Sequence, residues 1–262
     1  MSGGKKLAEA LADKLRYRCV SREIIVKAAS EYGIPEEKLF EAIGKSPSIF
    51  QKLTFEKEQY LAYIQAILCE YAMDDNLIYH GNAGHFLLPG VSHVLRIRLV
   101  AEMSFRIKAA MEQFTFSEKE AIRYISRVDK ERVKWTKFLY GKDWRSPELY
   151  DVVFNLGHSN LGFVCEMIVH AVEQPEFKST AQSVKAMNDL LLASKLRAAL
   201  AGIRNIRLDL LEIRVDDKSV EIRGRVESSK LLDEIMEIAT RMPEIDHIEN
   251  NVQIDYHSYR VE

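Results

Sequence analysis

The sequence contains no apolar run of membrane-spanning length, and its opening residues, MSGGKKLAEALADKL, lack the apolar core of a signal peptide. Cysteine is scarce. Cys19, Cys69 and Cys165 are scattered, odd in number and without metal-type spacing, which fits a reducing compartment and argues against a disulfide framework. A cytoplasmic protein is the expectation. An excess of one charge is also missing: 37 Lys and Arg stand against 39 Asp and Glu, for a formal net charge of -2. A pI near 6.4, with no second basic stripe, argues against nucleic acid as a partner. No Ser-His-Asp or Cys-His grouping occurs in a usable order, and no strand-borne pair of carboxylates points to hydrolysis. His80 and His85 flank a Gly-containing loop, but they have no nearby Cys or carboxylate set, so they read as structural histidines and no metal site is expected.

What is present is a core and one unusual stretch. At 262 residues, 47% of them hydrophobic, the chain is long enough for two domains. From Arg123 to Arg145 it carries Arg123, Arg127, Lys130, Arg132, Lys134, Lys137, Lys142 and Arg145, opposed only by Asp129, Glu131 and Asp143. Local positive charge in an acidic chain asks for an anionic partner. At helical spacing Arg123, Arg127, Lys130 and Lys134 share a stripe, with Asp129 and Arg132 on its flank. One reading is a solvated helix whose aromatics (Trp135, Phe138, Tyr140, Trp144) pack on a core. The other is a lid that closes cationic groups over phosphates, as phosphoryl transfer requires.

In order, Ser2-Gly3-Gly4-Lys5-Lys6 leads into an amphipathic helix with Leu7, Leu11 and Leu15 on one side. Glycines and a lysine at a helix start make a phosphate cradle, because outward N–H groups and the helix dipole favour an anion. A short strand at residues 18–21 precedes a helix opening at Arg22-Glu23. A long helix is expected from Thr54, as N-cap, to Met73. Residues 76–80 read as a buried strand ending at His80, before the loop Gly81-Asn82-Ala83-Gly84. Residues 94–100 alternate Leu95, Ile97 and Leu99 with Arg96 and Arg98, a strand with one polar face or edge. Ser117 and Glu120 form a capping box for the basic helix. Another strand is expected at 150–155 and a helix at 160–173, so the first part reads as an α/β layer with a mainly parallel sheet. Residues 174–180 lack apolar period and read as a linker. Beyond them a helix, a hairpin turning at Asp216-Asp217-Lys218, a helix capped by Ser228 or Ser229, and a strand at 247–255 make a separate αββαβ module.

Residues 2–173 resemble the cytidylate kinase-like family of P-loop nucleoside monophosphate kinases. The resemblance is carried by SGGKKLAEALADKL, CVSREII, YHGNAGH, HVLRIRLVA with Arg106 after it, VDKERVKW and YGKDWRSPELYDVVFN. Residues 185–256 resemble a BON domain, a small αββαβ module. The division implied is a kinase-like domain over 1–174, a linker over 175–184 and a BON-like domain over 185–257.

The first resemblance implies a P-loop kinase-type five-stranded parallel sheet with flanking helices and a helical lid. It implies ATP and Mg2+, with the γ-phosphoryl passing to CMP, dCMP or a similar small acceptor. Ser2, Gly3, Gly4, Lys5 and Lys6 would hold the donor phosphates, with Arg106 and Lys130 facing the donor nucleotide. Lys5, Arg127, Asp129 and Arg132 would carry catalysis. Arg22, His80, Gly81 and Asn82 would lie against the acceptor. The family places a strand and a glycine ahead of SGGK, and this sequence is read as starting inside that loop. Strands at 76–80 and 94–100 would then either pair directly or leave the sheet open. Lys6 stands where a Ser or Thr would meet Mg2+, and His80-Gly81-Asn82 replaces a Gly-Arg. An alternative therefore stays open: a non-catalytic nucleotide sensor or scaffold that presents the BON-like domain to a protein or small ligand. A membrane role is the weaker expectation, because that domain has no basic amphipathic helix.

Overall fold

The first helix, α1 (Gly4–Leu15), buries Leu7, Ala8 and Leu11 and starts after Gly3 in the left-handed region. Its hydrophobic spacing puts those side chains on one face. The computed structural model describes residues 3–44, 52–81, 84–157 and 159–255; Ser2 and Asn82 lie outside them. The chain divides into two compact units that are discontinuous in sequence: Met1–Glu23, Ile43–Pro47 and Asp74–Thr180 in one, Ile24–Ala42, Ser48–Met73 and Ala181–Glu262 in the other. Residues 24–42 and 48–73, assigned by the linear division to the N-terminal part, thus group with the C-terminal residues.

In the first unit β1 (Arg18–Val20) pairs in parallel with β2 (Leu77–Tyr79), matching Cys19 to Ile78. Separately, β3 (Ile97–Val100) pairs in parallel with β4 (Val152–Asn155), matching Arg98 to Val153. These four strands form two two-stranded parallel sheets, and among the described residues no ladder joins β2 to β3, the open one of the two arrangements expected for them. Both sheets nevertheless face one core. Leu7 and Leu11 of α1 cluster with Leu156 and with Val164, Cys165 and Ile168 of α8 (Leu161–Val172), and Ile78, Ile97 and Leu99 pack against that cluster. Strand alternation then turns Arg98 away from it. α5 (Gly84–Leu87) follows β2, and α6 (Met103–Phe114) follows β3. α7 (Glu118–Tyr140) opens with the expected capping box: the Ser117 hydroxyl accepts from the Glu120 N–H, and the Glu120 carboxylate accepts from the Ser117 N–H. α6 and α7 close on Ala110, Ala121 and Ile125.

The second unit contains α2 (Arg22–Tyr32) from Ile24 on, α3 (Glu36–Gly44) up to Ala42 and α4 (Lys52–Ala72), together with α9 (Ala181–Ala201). α4 begins ahead of Thr54, so Thr54 lies inside the helix instead of capping it. α4 packs along α9, and Ile64, Ile67 and Leu68 are fully buried, as are Leu196 and Leu200. Each such side chain stabilises by roughly 1.5–3 kcal/mol. Strands β5 (Leu211–Asp216) and β6 (Ser219–Val226) are antiparallel, and β7 (His247–Ile254) joins β6 in parallel after α10 (Ser229–Arg241), which is capped by Ser228.

Candidate functional site

Two groups of the expected residues come together, both in the first unit. The first forms at the start of α1. The Gly3 carbonyl accepts from Leu7 N–H, and no side chain caps this helix. The N–H groups of its first turn therefore remain available to an anion. Gly3 has φ 76, which favours glycine, and a Cβ there would sit 3.3 Å from Leu156 Cδ1, so that side chain would have to give by a few tenths of an ångström. Lys5 is exposed, with its ammonium 3.7 Å from Glu9 Oε1; Lys6 is exposed too. His80, just past β2, lies in the field of Glu9, Glu23 and Lys5, and burial above all lowers its pKa. The Glu23 carboxylate accepts from the Ser21 N–H at 2.7 Å, and such backbone bonds hold its pKa down. Beyond His80, a Cβ on Gly81 would fall 2.3 Å from the Tyr79 hydroxyl oxygen, so no larger residue fits without moving that ring. Arg22 is exposed.

The second group belongs to the basic helix. Arg106, in the first turn of α6, donates to both carboxylate oxygens of Asp129 at 2.7 and 2.8 Å. Such a bidentate pair fixes the guanidinium plane. Arg132, one turn on from Asp129, lies beside it. Burial pulls its pKa below the usual arginine range, while Asp129 pulls the other way and Arg106 reinforces the drop. The Arg132 guanidinium lies 5.7 Å from the Trp144 ring centroid. Arg127 and Lys130 turn outward and are exposed, with Arg127 over the Tyr124 ring at 5.7 Å. Of the predicted lid, then, Arg106, Asp129 and Arg132 gather inward.

Sequence reading missed two members of this group. Arg98, read as a polar strand face, places its guanidinium 4.9 Å from the same Trp144 ring and donates to the Arg145 carbonyl. Trp144 itself is held by its neighbours: Tyr150 Oη donates to its carbonyl at 2.7 Å, and its backbone N–H donates to Thr136 Oγ1 at 3.4 Å. The Arg96–Arg98 alternation was the only signal for Arg98. Beside the group, burial, then Arg96 and Arg98, pushes His85 down to about 4, and burial pushes Tyr150 up to about 12, so both are neutral at pH 7, while Asp143 stays ionised and pairs with Arg145. Arg98, Arg106 and Arg132 thus lie close to one another, with Asp129 bound to Arg106 and Asp143 bound to Arg145. Such an arrangement attracts and holds an oxyanion. Among the described residues no group of three or more His, Cys, Asp and Glu side chains could hold a metal ion, and no helix is long and apolar enough to cross a membrane.

Comparison with known proteins bears on the same residues. Residues 1–158 match the model of the cytidylate kinase-like family. A cytidylate kinase of Ignicoccus hospitalis is 29% identical over 157 residues, covering 59% of this chain and 83% of that protein. A crystal structure of an uncharacterized protein from Eubacterium ventriosum aligns at 17% identity with a TM-score of 0.49, over 66% of this chain and 92% of that one.

Proposed function

The chain belongs to the cytidylate kinase-like family, and from that premise we propose that it transfers the γ-phosphoryl group of ATP to CMP, dCMP or a similar small monophosphate. The observation that carries this reading is the inward group of Arg106, Asp129 and Arg132, with the bidentate pair at 2.7 and 2.8 Å. Phosphoryl transfer leaves the protein little covalent work; it needs positioned cations where charge spreads over the transferred group.

In this reading the residues divide the task. The first-turn N–H groups of α1 and the Lys5 ammonium hold donor phosphates, together with Gly3, Gly4 and Lys6, and with Ser2 beside them in sequence. Arg132 meets the transferred phosphoryl, and Asp129 holds Arg106 in plane so that its remaining donor stays aimed. Arg127 and Lys130 raise the local positive potential from the solvent side. His80, Gly81 and Arg22 lie toward the acceptor, with Asn82 beside them in sequence. ATP arrives with Mg2+ on its phosphates, an ion that binds through substrate oxygens and water with few protein ligands. The pyrimidine preference rests on the family alone. The C-terminal αββαβ arrangement serves as a BON-like module for a protein or small ligand, and the protein works in the cytoplasm.

A non-catalytic nucleotide-binding role is favoured by one feature: no ladder joins β2 to β3 among the described residues, which leaves α1 without a shared sheet beneath its start. Turnover separates the two. Coupled ADP-release assays on the full chain, across CMP, dCMP, UMP, AMP and GMP, should give at least one acceptor turned over well above ATP hydrolysis alone. ATP binding with no acceptor consumed would favour the sensor, and no ATP binding at all would end both readings.

A further inference from the structure

We propose that Arg98 and Trp144 complete the phosphate clamp, Arg98 as a third guanidinium contacting phosphate oxygens and Trp144 as the positioning residue that sets Arg98 and Arg132; the inference rests on the phosphoryl-transfer reading. Arg98 is rigidly placed. Its backbone sits in the β3–β4 ladder opposite Val153, and its neighbours Ile97 and Leu99 pack into the α1–α8 core. From there the guanidinium stacks near Trp144 at 4.9 Å and Tyr150 at 5.7 Å. Among the described residues it has no carboxylate partner; its direct polar contact is the Arg145 carbonyl. Cation–π contact compensates part of a partly buried charge, not all of it.

The hydrogen-bond inventory points the same way. Nε of Arg98, Nε of Arg106 and the indole Nε1 of Trp144 are buried donors with no hydrogen-bond partner among the described residues. Buried donors normally find acceptors. Several unanswered N–H groups beside surplus positive charge call for a ligand that is all acceptor and multiply charged. A phosphate or polyphosphate fits that description, with more acceptor oxygens than a carboxylate. Trp144 links the two stacked arginines. Its backbone N–H donates to Thr136 Oγ1, which donates to the Arg132 carbonyl at 3.0 Å. The indole itself lies against both guanidinium groups, at 4.9 and 5.7 Å, so its placement sets theirs.

The full chain contains two tryptophans, so Trp135→Phe leaves Trp144 as the sole indole emitter. Titrating that variant with ATP and with inorganic tripolyphosphate should change its emission at concentrations matching calorimetric binding. Arg98→Ala should lower kcat about tenfold or more, as removal of one charge-stabilising donor does, with acceptor KM within about threefold. Arg98→Lys should fail to restore kcat, because an ammonium lacks the planar stacked fork. Trp144→Phe, which keeps a ring, should retain more activity than Trp144→Leu. If Trp135→Phe melts early, the Arg98→Lys and Trp144→Phe kinetics carry the test alone. Wild-type kcat and ATP affinity in Arg98→Ala or Arg98→Lys, beside a crippled Arg132→Ala, would overturn the inference and leave the reading standing. Silent Trp144 emission during calorimetrically proven ATP binding would also overturn it. Failure of the wild-type chain to bind ATP or tripolyphosphate would remove both.

Discussion

Each unit holds a partly buried group of charges, and the two are built differently. In the second unit Glu58 on α4 and Asp209 stand against Arg197 and Arg207. Arg207 donates to both Asp209 oxygens at 2.8 and 2.5 Å, and Arg197 donates to the carbonyls of Leu208 and Leu211 at 2.9 and 3.2 Å. Acids and bases are matched, and the arginine donors bind the protein's own oxygens. In the first unit Arg106 pairs with Asp129, which also acts on Arg132, Arg98 has no carboxylate partner among the described residues, and donors are left over. A balanced cluster holds elements together. A surplus of one sign with idle donors is a place for something the chain does not supply.

The contrast is breakable. The largest effect expected is from Arg132→Ala, which should lower kcat by roughly 2–4 kcal/mol in activation free energy while acceptor KM moves little. Steady-state kinetics would check it, and unchanged turnover on every monophosphate would erase the difference between the two clusters. Arg207→Ala should do the reverse. It leaves Asp209 and Glu58 facing each other with less compensation and should cost about 1–2 kcal/mol of stability in urea titration, with kcat unchanged.

Glu58 sharpens the comparison through pH. Burial first, then Asp209, raises its pKa to about 7, against an ordinary 4.5. A carboxyl whose folded pKa is raised binds its proton more tightly when folded, so stability is highest below the unfolded value. It falls as pH rises from about 4.5 to about 7, then levels. Because the side chain is partly exposed, the loss is discounted to about 1–2 kcal/mol. Glu58→Gln should flatten this slope in denaturant titrations at pH 5 and 8, with turnover untouched. A slope of equal size in the variant would assign the titration elsewhere. The smallest effect belongs to Arg127→Ala. Exposed over Tyr124, it should change kcat by about twofold or less and weaken ATP binding chiefly at low salt; a tenfold loss at high salt would place Arg127 inside the clamp.

Much of the basic helix could be read directly. Ser117 and Glu120 announce its start, and the positive stripe and the aromatic interruptions are visible in one line of sequence. Which basic residues turn inward was not. Arg127 and Arg132 have similar local surroundings in the chain, and only the packing of α6 against α7 on Ala110, Ala121 and Ile125 settles that Arg132 faces Arg106 while Arg127 faces water. Arg98 and Trp144 lie far apart in sequence, so neither residue's neighbours reveal the stack. The grouping of α4 with α9 was equally hidden, since a run of Ile64, Ile67 and Leu68 says that a face is buried but not against what.

The sequence by itself determined the local parts of this protein: helix starts at Ser117 and at Ser228 or Ser229, the hairpin at Asp216-Asp217-Lys218, and the apolar faces of α1, α8 and α9. Those follow from hydrogen bonds and side-chain periodicity within a few residues, whose free energies are settled nearby. Tertiary structure alone decided which charges share a desolvated space, that β2 and β3 remain unjoined among the described residues, and that residues 52–73 belong with 181–255. Those depend on burial and Coulomb terms between residues far apart in the chain, which exist only once the helices have packed.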